Sequence, residues 1–283
     1  MKDWRLMPVQ DVLDGTHVQI RPYESYSQRI FAYAMEMIKV IREKNSRGEN
    51  SAFIVPVGPT QQYPLLADVI NACDISLKNT YFYNMDEYTL EDGAFIPIDD
   101  PLSFRGIMNE LFYNRIKPEL VMDEKHRWFP MLGREKEMWQ HMQGVGGVDI
   151  CFGGIGINGH VAFNEALYSD DTMGWEEFAA LPTRLLRLTD ETKAVNSSYG
   201  TFGEMPRLPM YAMTIGMREI MSSKKLVLDV GNNYHIRRAL YGPVSPQYPV
   251  TCIQLFQSAA LYCSPEQLMP LLPTAHYAHE DGA

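Results

Sequence analysis

Short apolar runs alternate with longer amphipathic segments along most of this 283-residue chain. The apolar runs that predict buried strands are Ser51–Val57, Asn79–Met85, Gly147–Gly154, Met210–Gly216, Lys224–Val230 and Ala259–Cys263. The segments with helical spacing of apolar residues are Tyr26–Lys44, Gln61–Cys73, Ser103–Ile116, Arg134–Gln143 and Tyr234–Leu240. Several strands are apolar on both faces and most are separated by helices, so the sequence predicts an α/β fold. We expect a single doubly wound, mostly parallel sheet with helices on both faces.

Charge and composition exclude several classes of partner. Twenty-five basic and thirty-five acidic residues leave a net charge of −10, so we expect no binding of nucleic acid or of an anionic membrane surface. No run of 18 uncharged apolar residues predicts a membrane span, and the acidic N-terminal segment is unlike a secretory signal. The four cysteines form no CxxC pair and are expected to be free thiols of a cytoplasmic protein. Because the sequence has no internal repeat and no low-complexity linker, we expect one domain over residues 1–283, with a poorly defined tail from about residue 270.

Unusual polar and glycine residues follow four of the predicted strands. They are Gly58–Thr60, Asp86, Gly153–Glu165 and Gly231–Asn233. In doubly wound folds, ligands bind beyond the carboxyl ends of the parallel strands. We therefore expect these four segments to meet in one crevice.

The third of these segments holds four glycines, followed by His160 and Glu165. Glycines let the backbone turn tightly and approach a ligand, and an imidazole transfers protons near neutral pH. A Gly-rich turn with a structural histidine remains an alternative. The pattern is not a good dinucleotide fingerprint, and it lacks a third ligand at the spacing of a metal site.

Asp86 and Glu87 follow a strand rich in aromatic residues. A carboxylate that faces a crevice at the end of a strand is a candidate general base. The alternative is that both acids are solvated or cap the next helix.

Two segments together resemble the signature motifs of the glucosamine-6-phosphate deaminases, which are also called isomerases. These segments are Asn84–Tyr88, which reads Asn-Met-Asp-Glu-Tyr, and the Gly154–Glu165 loop. Weaker similarity runs through Leu188–Ser197, Tyr211–Gly216 and Thr251–Leu255, so the resemblance covers roughly residues 25 to 265. The related 6-phosphogluconolactonases share the Gly-His loop but do not have the Asn-Met-Asp-Glu-Tyr run.

The resemblance implies a Rossmann-like fold, often oligomeric, that uses no cofactor and no catalytic metal. It implies aldose–ketose isomerisation with loss of ammonia from a sugar or sugar phosphate. Asp86 falls at the position of the base that moves a proton between C2 and C1, and His160 at the group that opens the ring. Glu165 falls at the acidic partner of that histidine. The positions expected to bind substrate are Gly58, Pro59, Thr60, Glu87, Gly154, Gly156, Ser198 and Asn232.

The chain departs from this family at two places. Asn158 stands where an aspartate is usual, and a neutral amide can orient His160 but cannot charge it. The usual phosphate contacts are also weakened together: Pro59 has no N–H, and Ser198 and Asn232 stand where basic residues are usual. This combination favours a non-phosphorylated or otherwise altered sugar over the ordinary sugar 6-phosphate, although Arg237 and Arg238 are candidates to replace the lost cations.

Two other functions are compatible with these residues. A lactonase or phosphate-free sugar isomerase on the same scaffold would need His160 but not Asp86. A non-catalytic sugar sensor is less compatible, because only about 25 residues precede the first predicted helix and related sensors carry a DNA-binding module there.

Overall fold

The computed structural model describes residues 3–231 and 234–271. Within these residues the ten strands are β1 Gln19–Pro22, β2 Ser51–Val55, β3 Thr80–Asn84, β4 Asp86–Thr89, β5 Arg127–Trp128, β6 Ile150–Gly154, β7 Arg184–Arg187, β8 Tyr211–Thr214, β9 Leu226–Asp229 and β10 Ala259–Cys263. The α-helices of the described residues are α1 Val9–Asp14, α2 Tyr26–Ser46, α3 Gln62–Ala72, α4 Phe104–Leu111, α5 Glu135–Gly144, α6 Trp175–Ala179, α7 Asp190–Gly200, α8 Met217–Met221 and α9 His235–Tyr241. The tail predicted from about residue 270 lies almost wholly outside the described residues.

Seven strands form one parallel sheet in the order β1-β10-β9-β6-β2-β3-β5. Successive residues of its central strands belong to different cores, since Ile54 packs on one face of the sheet and Phe53 on the other. Helices α2, α3 and α4 cover the Phe53 face, whereas α5, α8 and α9 cover the Ile54 face. The predicted doubly wound sheet with helices on both faces is confirmed.

A second, three-stranded antiparallel sheet has the order β4-β8-β7. The strand predicted over Met210–Gly216 is present as β8, but it pairs here and not in the parallel sheet. Its partner β4 begins at Asp86, and only Met85 separates it from the end of β3 at Asn84. The chain therefore passes from the large sheet to the small one at the predicted base.

Segment 166–183, which follows the Gly-His loop, contains the short helix α6. Phe178 of α6 is buried in the core that α8 also contacts, and Trp175 packs beside it with ring centroids 6.0 Å apart. Of the described helices, none has the length and apolar character needed to cross a bilayer.

Candidate active site

A cavity of about 820 Å³ opens at the carboxyl ends of β2, β3, β6 and β9. One lining segment lies at or just beyond the end of each of these strands: Gly58–Thr60, Met85–Asp86, Gly154–Ile157 and Gly231. His160 also lines the cavity. The expected meeting of four strand ends in one crevice is confirmed, and Asp86 and His160 share that crevice.

Asp86 is 8% exposed at the first position of β4. Its Oδ1 accepts the backbone N–H of Phe163 at 3.2 Å, and that N–H also reaches the Thr214 hydroxyl at 3.0 Å. Ala162, which adopts a left-handed φ of 52°, turns the loop that presents this N–H. Burial raises the pKa of Asp86 from its ordinary 3.8 to about 7, because the hydrogen bonds and His160 only partly offset the loss of water.

The His160 ring is held through its Nδ1 atom. Nδ1 lies 2.9 Å from Asn158 Oδ1, 3.1 Å from Glu165 Oε2 and 3.4 Å from Thr192 Oγ1. Asn158 donates its Nδ2–H to Glu165 at 3.0 Å, so its Oδ1 must face the ring as an acceptor. Nδ1 therefore carries a proton, and Nε2 is the ring nitrogen available to a substrate.

Glu165 is stabilised as a carboxylate in this cluster. Burial alone raises its pKa, but hydrogen bonds from His160, Asn158 and Thr192 outweigh burial, so the pKa lies below its ordinary value. The N–H of Thr189, the N-cap of α7, also points to Glu165 Oε1 at 3.4 Å. The positive end of α7 thus adds to the stabilisation of the anion.

Two glycines of the loop are needed for this arrangement. A Cβ on Gly156 would lie 1.9 Å from His160 Nε2, and Gly159 has a left-handed φ of 83° with Tyr248 directly beside it. The N–H groups of both glycines donate inside the loop, from Gly156 to the His160 carbonyl and from Gly159 to the Gly156 carbonyl. These two N–H groups are therefore not free to bind a substrate oxygen.

Glu87 does not lie in the cavity, which corrects its assignment to substrate binding. Its side chain is fully buried and pairs with Arg105 Nε at 3.0 Å. It also accepts the N–H groups of Phe104 and Arg105 and the Ser103 hydroxyl. Adjacent strand residues point to opposite faces, so Asp86 faces the cavity while Glu87 caps helix α4, the alternative considered for this acid.

The end of the cavity that was expected to bind phosphate is lined by uncharged residues. Gly58, Pro59 and Thr60 line it as predicted, but Ser198 does not, because its exposed hydroxyl donates to the Val195 carbonyl of its own helix. Asn232 lies outside the described residues. Among the described lining residues there is no lysine or arginine.

The arginines near this region are engaged elsewhere. Arg29 lies beneath the cavity residue Tyr26, with its Nε 2.9 Å from Asp229 Oδ1. Arg237 is fully buried and donates to four backbone carbonyls. Arg238 lies over the ring of Tyr248 and lines a separate cavity. The idea that Arg237 and Arg238 replace the lost cations is therefore wrong for the described site.

Helix α7 supplies a wall that the sequence reasoning missed. Thr192, Val195, Asn196 and Tyr199 line the cavity at intervals of three and four residues, which is one face of a helix. Tyr88, two residues after Asp86 on β4, also lines it. Two sequence signals pointed to these residues. Tyr88 is two positions from Asp86 on a strand, and the Leu188–Ser197 segment has helical spacing.

The described residues contain no cluster of three histidine, cysteine or acidic side chains that would hold a metal ion.

The fold and the sequence have known counterparts. Among solved structures, a monomeric glucosamine-6-phosphate deaminase has a TM-score of 0.74 at 23% identity, covering 88% of this chain and 98% of its own. The 6-phosphogluconolactonase of Trypanosoma brucei has a TM-score of 0.63 at 12% identity, covering 91% and 100%. The fold is therefore the α/β fold of these deaminases and lactonases.

The sequence relatives favour the first of these two groups. The chain is 26% identical over 234 residues to the glucosamine-6-phosphate deaminase of Yersinia enterocolitica, covering 80% of this chain and 82% of that protein. It is 29% identical over 221 residues to the deaminase of Aliivibrio fischeri, covering 74% and 76%. No family model matches the chain. The resemblance to glucosamine-6-phosphate deaminases that the two motifs carry is confirmed.

Proposed function

We propose that this protein is an enzyme that isomerises an amino sugar and releases its nitrogen as ammonia. The observation that carries the proposal is the presence of Asp86 and His160 on one cavity, with Nε2 of His160 available to a substrate. A base near C2 and a proton carrier near the ring oxygen are the two groups that this chemistry requires.

The proposed reaction begins with opening of the sugar ring. His160 takes the proton from O1 and passes it to the ring oxygen O5, which leaves C1. Asn158, Glu165 and Thr192 hold the imidazole in place for this transfer. The products of this step are an aldehyde at C1 and a free hydroxyl at C5.

Asp86 then moves the proton from C2 to C1. Removal of the C2 proton forms the C1–C2 double bond and places negative charge on O1, which takes a proton from the ammonium on C2. Return of the first proton to C1 yields a ketiminium ion. Water adds to its C2 atom and ammonium leaves, giving the ketose. Since burial raises the pKa of Asp86 to about 7, the base is poised for both directions of transfer near neutral pH.

We further propose that the preferred substrate lacks the 6-phosphate. A phosphate dianion requires cations or several N–H donors, yet the described wall at that end carries neither lysine nor arginine. Pro59 contributes no N–H, and the guanidinium of Arg29 is neutralised by Asp229. A neutral hydroxymethyl group would enter this wall without leaving a charge unpaired.

The test compares glucosamine with glucosamine 6-phosphate as substrates, measuring ammonia and ketose. We expect turnover with a higher kcat/KM for glucosamine, rising with pH to a plateau above about pH 7 as Asp86 ionises.

The D86N variant should lose exchange of the C2 proton with solvent. The T60K variant, which adds a cation to a residue that lines this end of the cavity, should raise kcat/KM for the phosphate ester relative to glucosamine.

Three results would change the assignment. A folded protein that releases ammonia from neither compound would overturn the deaminase assignment. Preference for the phosphate ester would overturn only the choice of substrate. Hydrolysis of 6-phosphogluconolactone that survives in D86N would favour the lactonase alternative.

A further inference from the structure

Tyr88 holds its phenol ring rigidly against the cavity. The residue is 3% exposed, and its ring packs on Phe104 and Phe163 with centroids 4.8 and 5.8 Å apart. It is two positions after Asp86 on β4, so both side chains lie on the same face of the strand. The hydroxyl therefore has a defined position on the wall that also carries the proposed base.

The hydroxyl of Tyr88 accepts a hydrogen bond but donates none within the described residues. Its oxygen accepts the Nδ2–H of Asn196 at 3.0 Å, but no group of the described residues accepts its O–H. Burial raises the pKa of Tyr88 well above its ordinary value, and nearby Asp86 and Glu87 act in the same direction. The phenol thus remains a neutral donor throughout the pH range in which enzymes work.

Four donors of the segments around Asp86 and His160 are already engaged within the protein. The N–H groups of Gly156 and Gly159 donate within their loop. The N–H of Phe163 is shared by Asp86 and Thr214, and the hydroxyl of Thr192 donates to Glu165. Tyr88 is different because its oxygen is fixed by a donor while its own proton has no acceptor.

We infer that Tyr88 is a further catalytic residue of the proposed reaction, whose O–H donates to O1 of the open-chain sugar. As Asp86 removes the C2 proton, the electron pair of that C–H bond becomes the C1–C2 double bond and the carbonyl π pair moves to O1. Tyr88 stabilises this oxyanion by a hydrogen bond and keeps its proton. The inference rests on the proposed function, because it needs an enolate next to Asp86.

The Y88F variant tests this role, since it deletes only the hydroxyl. Loss of one oxyanion donor typically lowers kcat by about 10²–10³, and we expect a fall of that size with KM changed by less than about threefold. The isotope effect on kcat with C2-deuterated substrate should stay or increase, since proton abstraction becomes slower. Y211F, a tyrosine of the same small sheet outside the described cavity, is the matched control and should keep wild-type kcat.

A second variant covers a failure of Y88F to fold. N196A leaves the phenol in place but removes the donor that orients it, so we expect a fall in kcat of about tenfold with an unchanged unfolding temperature. Active wild-type enzyme, an inactive D86N variant and Y88F within twofold of the wild-type kcat would overturn the role of Tyr88 alone. Absence of Asp86-dependent C2 exchange in the wild type would overturn the proposed function and this inference together.

Discussion

At the scale of single residues, the site is built around Asp86, whose negatively charged form is destabilised by burial. Asp86 accepts one backbone N–H and is 8% exposed, too little compensation for a full negative charge. Its pKa of about 7 in the folded protein lies above the ordinary 3.8 of an unfolded chain. The folded state therefore binds this proton more tightly than the unfolded state, so stability is lost as pH rises from about 4 through 7.

The D86N variant should consequently be more stable than the wild type at alkaline pH. We expect little difference at pH 4 and a gain that grows to at most on the order of 4 kcal/mol at pH 8, the free-energy equivalent of the pKa difference. Urea unfolding of both proteins across this pH range measures the gain. D171N, which changes an exposed aspartate, should show no such trend, and a gain for D86N that is independent of pH would contradict the argument.

At the scale of elements, two helix N-termini organise the site by binding buried carboxylates. The start of α7 faces Glu165 through the Thr189 N–H and the Thr192 hydroxyl, while the start of α4 is capped by Glu87. Glu87 is next to Asp86, so the cap of α4 also fixes the strand that carries the proposed base. These helices therefore connect the proposed catalytic groups to the packing of the fold.

We predict that E87Q destabilises the protein by about 3 kcal/mol, because it leaves the partly buried Arg105 without its anion and removes a charge at a helix N-terminus. The midpoint of urea unfolding measures this loss. KM of the remaining folded enzyme should stay near the wild-type value, as Glu87 does not contact the described cavity. E91Q, an exposed acid in the loop after β4, is the control and should have a wild-type midpoint.

At the scale of the whole molecule, Arg237 joins the two ends of the described chain. Its guanidinium donates to the carbonyls of Trp4 and Met7 near one end and of Leu268 and Met269 near the other. The Leu271 N–H also donates to the Arg5 carbonyl at 2.9 Å. The two terminal segments are thus held together on helix α9.

Replacing this arginine should weaken both terminal segments together. Lysine has a charge but lacks the planar fork that reaches four carbonyls, so R237K should lose about 2–3 kcal/mol of unfolding free energy. Hydrogen exchange should increase in residues 4–7 and 268–271. R238K, next in sequence and exposed, should change neither quantity by a comparable amount, and equal effects of the two variants would refute the special role of Arg237.

Much of the parallel sheet was predictable because its strands are short and apolar on both faces. β10 has the predicted bounds, and β2, β3, β6 and β9 lie within the predicted runs. The Gly-His loop was recognisable for a similar reason, since glycines, His160 and Glu165 are close in sequence and contact each other directly. Local patterns encode burial and nearby contacts, and the sequence alone determined these features.

The tertiary structure decided which distant groups meet. Met210–Gly216 has the pattern of a buried strand whichever sheet it joins, and only its pairing with β4 assigns it to the small sheet. Glu87 forms a hydrogen bond with Arg105, eighteen residues later in the chain, only when α4 has docked. Tyr88 forms one with Asn196, one hundred and eight residues later, only when α7 has docked. The spacing of apolar residues in the sequence shows which positions are buried. The partner of a polar group depends instead on which surfaces come together when helices pack on sheets.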